Sequence, residues 1–235
     1  MYQTAQQCYE TLVGRRYQYL DRARQCSKLT LPYVMPPDGF GAHSRLDTPF
    51  QGVGARGVNN LASKLLLALL PPNAPFFRLN VDTYKLQQEG APEDILTDIE
   101  TSLQKMEDSV MDEISRETYR TVVHEVLKHL IITGNALVYL PDEGGMRVFH
   151  LDRFVVDRDP MGNVLSIATK ETIAYSALPE ELKQAIGATG ESPEEECDLF
   201  TAVKLKDNKW HVWQDIHGIR VPNSEGVYAK DKNPF

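Results

Sequence analysis

The sequence predicts an α+β fold: a helical N-terminal half, residues 1–133, followed by an antiparallel β-rich half, residues 134–235. Three observations predict it. Apolar residues recur at intervals of three and four as far as Thr133, and Gly134 then offers a helix stop. Beyond it the apolar runs shorten and alternate, as half-buried strands require. Turn signals at Asp142-Glu143-Gly144-Gly145, Asp159-Pro160-Met161-Gly162, Asp207-Asn208 and His217-Gly218 punctuate those runs. No internal repeat is present, so one layout of helices then strands follows.

Residues 4–28 read as one amphipathic helix with Ala5, Cys8, Leu12, Val13, Tyr19, Leu20, Ala23 and Cys26 on its apolar side. Cys8 and Cys26 are then small core thiols, while Arg15, Arg16, Arg22 and Arg24 occupy the other faces. A Pro- and Gly-rich stretch, residues 31–48, reads as an extended arm. The next helix is expected to start at Thr48, with Pro49 in its first turn and Gln51 completing a capping box, and to end at Pro71-Pro72. Gly52, Gly54 and Gly57 inside it suggest that another backbone approaches closely.

Phe76 to Val81 alternate as a short strand. A long helix is expected over residues 92–114, opened by Glu93 and Asp94 at its positive dipole end, with the stripe Ile95, Ile99, Leu103, Met106, Val110 and Ile114. Another, over residues 118–133, carries Tyr119, Val122, Val123, Val126, Leu127 and Leu130. Strands follow near 136–140, 146–150, 154–158, 163–172, 198–205, 209–215 and 219–221. A short helix at 179–186 and an acidic loop at 187–196 separate the fourth strand from the fifth.

Composition excludes several function classes. The longest apolar run, Leu65 to Leu70, is far short of the roughly 20 residues that span a bilayer, and no signal peptide opens the chain. Three cysteines with no close pair make neither a disulfide framework nor a Cys-rich zinc site. The net charge of −8 divides into +4 over residues 1–75 and −12 over residues 76–235. An acidic protein of this kind is no general nucleic-acid binder.

Catalytic and ligand motifs fail on inspection. Gly52-Val53-Gly54-Ala55-Arg56-Gly57 matches the dinucleotide fingerprint but lacks the strand before it and the acid after it. His124 and His129 flank Glu125 with one residue too many for a zinc-protease helix, which puts the imidazoles about 140° apart. Asp157 to Asn163 imitates the start of a calcium loop without its later carboxylates and reads as a β-turn. Glu194-Glu195-Glu196 reads as a solvated loop, with contact to a metal or a basic partner as the alternative. No nucleophile–base arrangement can be assembled, and the residues suggest no catalytic, cofactor or metal site.

The helix after Pro49 is more informative. Arg56, Asn59, Asn60, Ser63 and Lys64 form a polar arc, and Leu67 and Leu70 continue its line. A helix apolar all round at one end is enclosed there. Either the chain's own second half covers it, or a neighbouring subunit does, with Arg56, Asn59, Asn60 and Lys64 as the interface candidates.

The run Thr48-Pro49-Phe50-Gln51-Gly52-Val53-Gly54-Ala55-Arg56-Gly57-Val58-Asn59-Asn60-Leu61-Ala62-Ser63-Lys64-Leu65 resembles the portal (head–tail connector) proteins of short-tailed podovirus-type phages. Gly134 to Pro141, Phe154 to Asp159 with Gly162 to Leu165, and Ala177 to Glu181 support the resemblance in the family's order. It implies a structural, non-enzymatic subunit of a ring, usually of twelve copies, at one capsid vertex of the virion, assembled in the host cytoplasm. Implied partners are the major capsid protein, tail adaptor and internal core proteins, the terminase motor and the double-stranded DNA passing through. The family's stem, clip and crown are expected after Phe235, which makes this chain the N-terminal part of the wing. Arg15, Arg16, Arg22 and Arg24 are the candidates for a basic contact, either to DNA or to acidic groups of the shell or a neighbouring subunit. The alternative from another class is a small soluble enzyme or host-directed regulator whose site is built from scattered residues.

Overall fold

The computed structural model describes residues 4–233 other than 38, 41–43, 73, 82–91, 117, 142–143, 179, 181 and 184–195. Among the described residues five helices come first: α1 (Ala5–Gly14), α2 (Tyr17–Leu29), α3 (Val53–Leu69), α4 (Glu93–Arg116) and α5 (Tyr119–Thr133). Eight strands follow: β1 (Leu137–Tyr139), β2 (Arg147–Phe149), β3 (Phe154–Arg158), β4 (Val164–Ala174), β5 (Glu196–Lys206), β6 (Lys209–Ile216), β7 (Ile219–Arg220) and β8 (Gly226–Ala229). The α+β layout of the sequence is therefore the observed one. Gly134, at φ 72°, ends α5 in the left-handed conformation that glycine adopts without strain.

β1 and β2 form a separate hairpin, and the main sheet runs β3-β4-β5-β6-β7, every pair antiparallel. β8, for which the sequence gives no signal, pairs the same side of β6 as β7 does, nearer the start of β6. Two-residue turns set the registers. Asp207 and Asn208 both have positive φ between β5 and β6, as do His217 and Gly218 between β6 and β7, the twist a tight hairpin needs. At the β3–β4 turn the Asp159 carboxylate accepts the N–H groups of Met161 and Asn163 at 2.9 and 2.8 Å. That geometry is a β-turn.

α1 and α2 close on the sheet. Ala5 and Tyr9 of α1 pack with Val155, Ala168, Phe200, Ala202 and Trp213, while Leu20 and Ala23 of α2 pack with Met35, Phe149, Leu151 and Phe154. A further cluster of Ile167, Val203 and Trp210 draws on the intervening positions of β4, β5 and β6, as the two-residue period of a strand requires. α1 begins in a capping box, with Thr4 Oγ1 accepting Gln7 N–H and Gln7 Oε1 accepting Thr4 N–H. Its first N–H, that of Ala5, donates to the carboxylate of Asp215 in β6. Asp215 is only 1% exposed, and Arg220 Nε lies 2.8 Å from its other oxygen. A buried carboxylate thus meets a helix dipole and a guanidinium at once.

The structure corrects four expectations. The first helix is two, broken at Arg15-Arg16, because the Arg16 guanidinium turns inward to donate to the carbonyls of Leu151 (2.7 Å) and Phe154. Leu20 and Ala23 of α2 face inward as expected, but its last turn buries Ser27 and leaves Cys26 exposed, while Cys8 packs against the core. The capping box expected at Thr48–Gln51 does not form. α3 starts at Val53 behind Gly52, with no side chain capping it. A Cβ on Gly54 would lie 2.6 Å from the Leu29 carbonyl oxygen, so the expected close backbone approach occurs there, whereas Gly57 faces open space. Residues 76–81 form no strand: no described residue pairs with them in a ladder, and Leu79 N–H instead donates to Glu107 of α4 at 2.6 Å. Most of the expected acidic loop at 187–196, and part of the short helix at 179–186, lie outside the described residues.

Candidate functional site

α3 rests on α5 and the segment after α2 through one narrow side. Val58 and Ala62 are buried there, with Val34 and Ile132 of the neighbouring elements around Val58. Its C-terminal carbonyl, that of Leu70, accepts from Arg120 of α5 at 2.6 Å, which satisfies one group that helix geometry leaves open. Its outer face is bare. Arg56, Asn59, Asn60 and Lys64 are exposed, and none makes a side-chain hydrogen bond or ion pair with a described residue.

The expected enclosure of the apolar end by the chain's own second half is not found. Leu67 is 56% exposed, and Val53, Leu61 and Leu69 are also exposed. The β-rich half packs with α1 and α2, leaving α3 to α5. Of the two alternatives for this face, cover from within the chain is therefore absent among the described residues.

α4 shows the same property on a larger scale. At 24 residues it is about 36 Å long, yet Leu96 is its one buried apolar side chain among those described. Of the expected stripe, Ile99, Leu103 and Ile114 face inward, whereas Ile95, Met106 and Val110 stand in solvent. A cleft of about 510 Å³ separates α4 from residues 75–81, lined by Arg78, Asn80, Leu96, Glu100, Leu103 and Glu107. These residues offer no nucleophile paired with a base.

The basic candidates divide. Arg15 and Arg22 are exposed, Arg24 is half-buried, and Arg16 is held in the fold by the two carbonyls and the Phe154 ring 5.9 Å away. Burial lowers the pKa of Arg16 below its ordinary value, in keeping with a structural guanidinium.

One cluster escaped the sequence reading. His129 in α5 is fully buried, with its ring edge-on to that of His150 at 4.8 Å. Its Nε2 lies 3.6 Å from Glu125 Oε1, long for a hydrogen bond, while Lys128 Nζ reaches Glu125 Oε2 at 3.1 Å. His129 first, and Lys128 with it, hold the Glu125 carboxyl down to about 2. His150 Nδ1 is 3.0 Å from the Val34 carbonyl, so the cluster ties α5 to the arm and to the chain after β2. His124 points elsewhere, to Ser63 of α3 at 3.3 Å, so the two histidines of the helix do not converge. The only sequence signal for the cluster is Glu125 four residues before His129.

The model of a family described as "Bacteriophage head to tail connecting protein" matches residues 2–235. The chain belongs to this family. It is 36% identical to the portal protein of Escherichia phage T7 over 240 residues, covering 98% of this chain and 45% of that protein. The portal proteins of Enterobacteria phage T3 (35% identical, 98% and 44% covered) and Enterobacteria phage SP6 (31%, 97% and 44%) are similar in the same way. The chain thus spans less than half the length of these relatives. Among the described residues no helix is long and apolar enough to cross a membrane.

Proposed function

We propose that this chain is the wing part of a phage portal subunit, a structural element of the ring at one capsid vertex through which the genome enters and leaves. The observation that carries the reading is the match to the connecting-protein family over residues 2–235, with portal proteins similar along nearly the whole chain. In this reading residues 1–133, with the arm at 31–48, and residues 134–235 are the helical and β-rich segments of the wing. The ring holds twelve copies. It meets the major capsid protein outside, and tail adaptor and internal core proteins along its axis. The terminase docks on the clip of the ring. The subunit is made in the host cytoplasm, ends at the head–tail junction of the virion and catalyses no reaction.

Arg56, Asn59, Asn60 and Lys64 are assigned to contacts between neighbouring subunits, which their exposure and lack of partners among the described residues support. Duplex DNA passing the ring touches this chain weakly and without sequence preference, since residues 76–235 carry −12 and tight phosphate binding would stall sliding. Arg15, Arg22 and Arg24 serve the shell or a neighbouring subunit as much as DNA.

Electron cryo-microscopy of the full-length protein and of intact particles tests the reading. A ring at a single vertex is the expected result. A soluble monomer absent from particles would overturn it.

A further inference from the structure

α3 and α4 each carry a second stripe, outside the one that packs inward. On α3 the residues at intervals of three and four are Val53, Arg56, Asn60, Lys64 and Leu67, all exposed. On α4 they are Ile95, Asp98, Ser102, Met106, Val110 and Glu113, also exposed. Each stripe mixes apolar residues with charges of one sign, since α3 contains two basic residues and no acid. α4 contains eight acids against Lys105 and Arg116, a balance of −6. The two faces are therefore complementary in both charge and apolar content, yet α3 and α4 lie on one molecule without covering each other's stripe.

We propose that the outer stripe of α3 in one copy packs against the outer stripe of α4 in the next copy around the ring. This deepens the ring reading above and rests on it. Two different patches on one subunit make a head-to-tail contact, which repeats around a closed ring and does not stop at a dimer. Arg56 and Lys64 then lie within side-chain reach of Asp98 and Glu113, while Val53 and Leu67 at the two ends of the α3 stripe, and Ile95, Met106 and Val110 of α4, lose their water. The acids of α4 repel a second α4, and the bases of α3 repel a second α3. The wrong pairings are thereby penalised.

Charge reversal in the full-length protein tests the pairing, with ring formation read by mass photometry and negative-stain imaging. Arg56→Glu with Lys64→Glu should raise the subunit concentration for half-assembly by roughly 10- to 100-fold, because like charges then meet at each junction. Asp98→Lys with Glu113→Lys should do the same. All four changes together should bring assembly back toward the wild-type level, since every junction regains opposite signs. Circular dichroism and thermal midpoints of the monomers should be unchanged, because all four residues are exposed. If the acidic-face variant assembles normally, or the fourfold variant assembles no better than either pair, the partner is another surface and the proposal fails. Wild-type protein run alongside separates the two readings: absence of wild-type rings overturns the ring itself, and rings that ignore these changes overturn only the pairing.

Discussion

The sheet with α1 and the layer of α3 to α5 draw on similar apolar residue types and treat them differently. Val155, Ala168, Phe200, Ala202 and Trp213 are all but sealed beneath Ala5 and Tyr9. In the helical layer Val58 and Ala62 of α3 and Leu96 of α4 are buried, while Leu61, Leu67, Ile95, Met106 and Val110 remain in water. A strand presents alternate residues to two fixed faces, and here both faces are supplied with cover by this chain. A helix touching its neighbours along one narrow stripe leaves most of its surface to whatever arrives later. The difference teaches where stability resides and where assembly does.

Paired truncation separates the two layers most strongly. Phe200→Ala should cost about 3–5 kcal/mol in chemical denaturation, whereas Met106→Ala should stay within about 0.5 kcal/mol. Equal losses would mean that α4 is covered within the monomer. Asp215→Ala comes next, at about 3 kcal/mol, because it removes a buried partner of both α1 and Arg220. Amide exchange should accelerate first in α1, and unaltered protection there would count against Asp215 as its anchor.

Within α3 the two glycines sharpen the contrast between seated and free surface. Gly54→Ala should destabilise by about 1–3 kcal/mol, since the new Cβ meets the Leu29 carbonyl oxygen and the backbone must shift. Gly57→Ala should be neutral or stabilise by up to about 1 kcal/mol, as its site is open. Thermal melts of both variants distinguish these outcomes.

The smallest expected effect is a pH dependence. Glu125 falls from an ordinary 4.5 to about 2 in the fold, so its contribution is fully present above pH 4.5 and is lost as pH drops through 2. Solvent screening of a partly exposed carboxylate limits this to about 1 kcal/mol. Glu125→Gln should narrow the stability difference between pH 5 and pH 2.5 relative to wild type. An unchanged difference would show that the His129 cluster adds nothing to the seating of α5.

By itself the sequence determined the α+β order, the helix stop at Gly134, the main strands and the two hairpin turns between β5, β6 and β7. Each depends on chemistry within a few residues: periodicity, a glycine or asparagine at positive φ, or a proline. Even the motif that misled, Thr48 to Gln51, is chemically sound, and the same Thr-x-x-Gln pattern does cap α1 at Thr4. What distinguishes the surroundings of the two sites is tertiary, since the first turn of α3 carries Gly54 close against the end of α2. The break at Arg15-Arg16 depends on carbonyls at 151 and 154, and residues 76–81 are not a strand because no described partner reaches them. Asp215 and His129 are buried by elements far along the chain, so no local pattern announces them. The exposed faces of α3 and α4 belong to the same class. Amphipathic spacing shows that a helix has an apolar side, but only packed neighbours decide which apolar residues are left over, since burial is a property of what lies opposite.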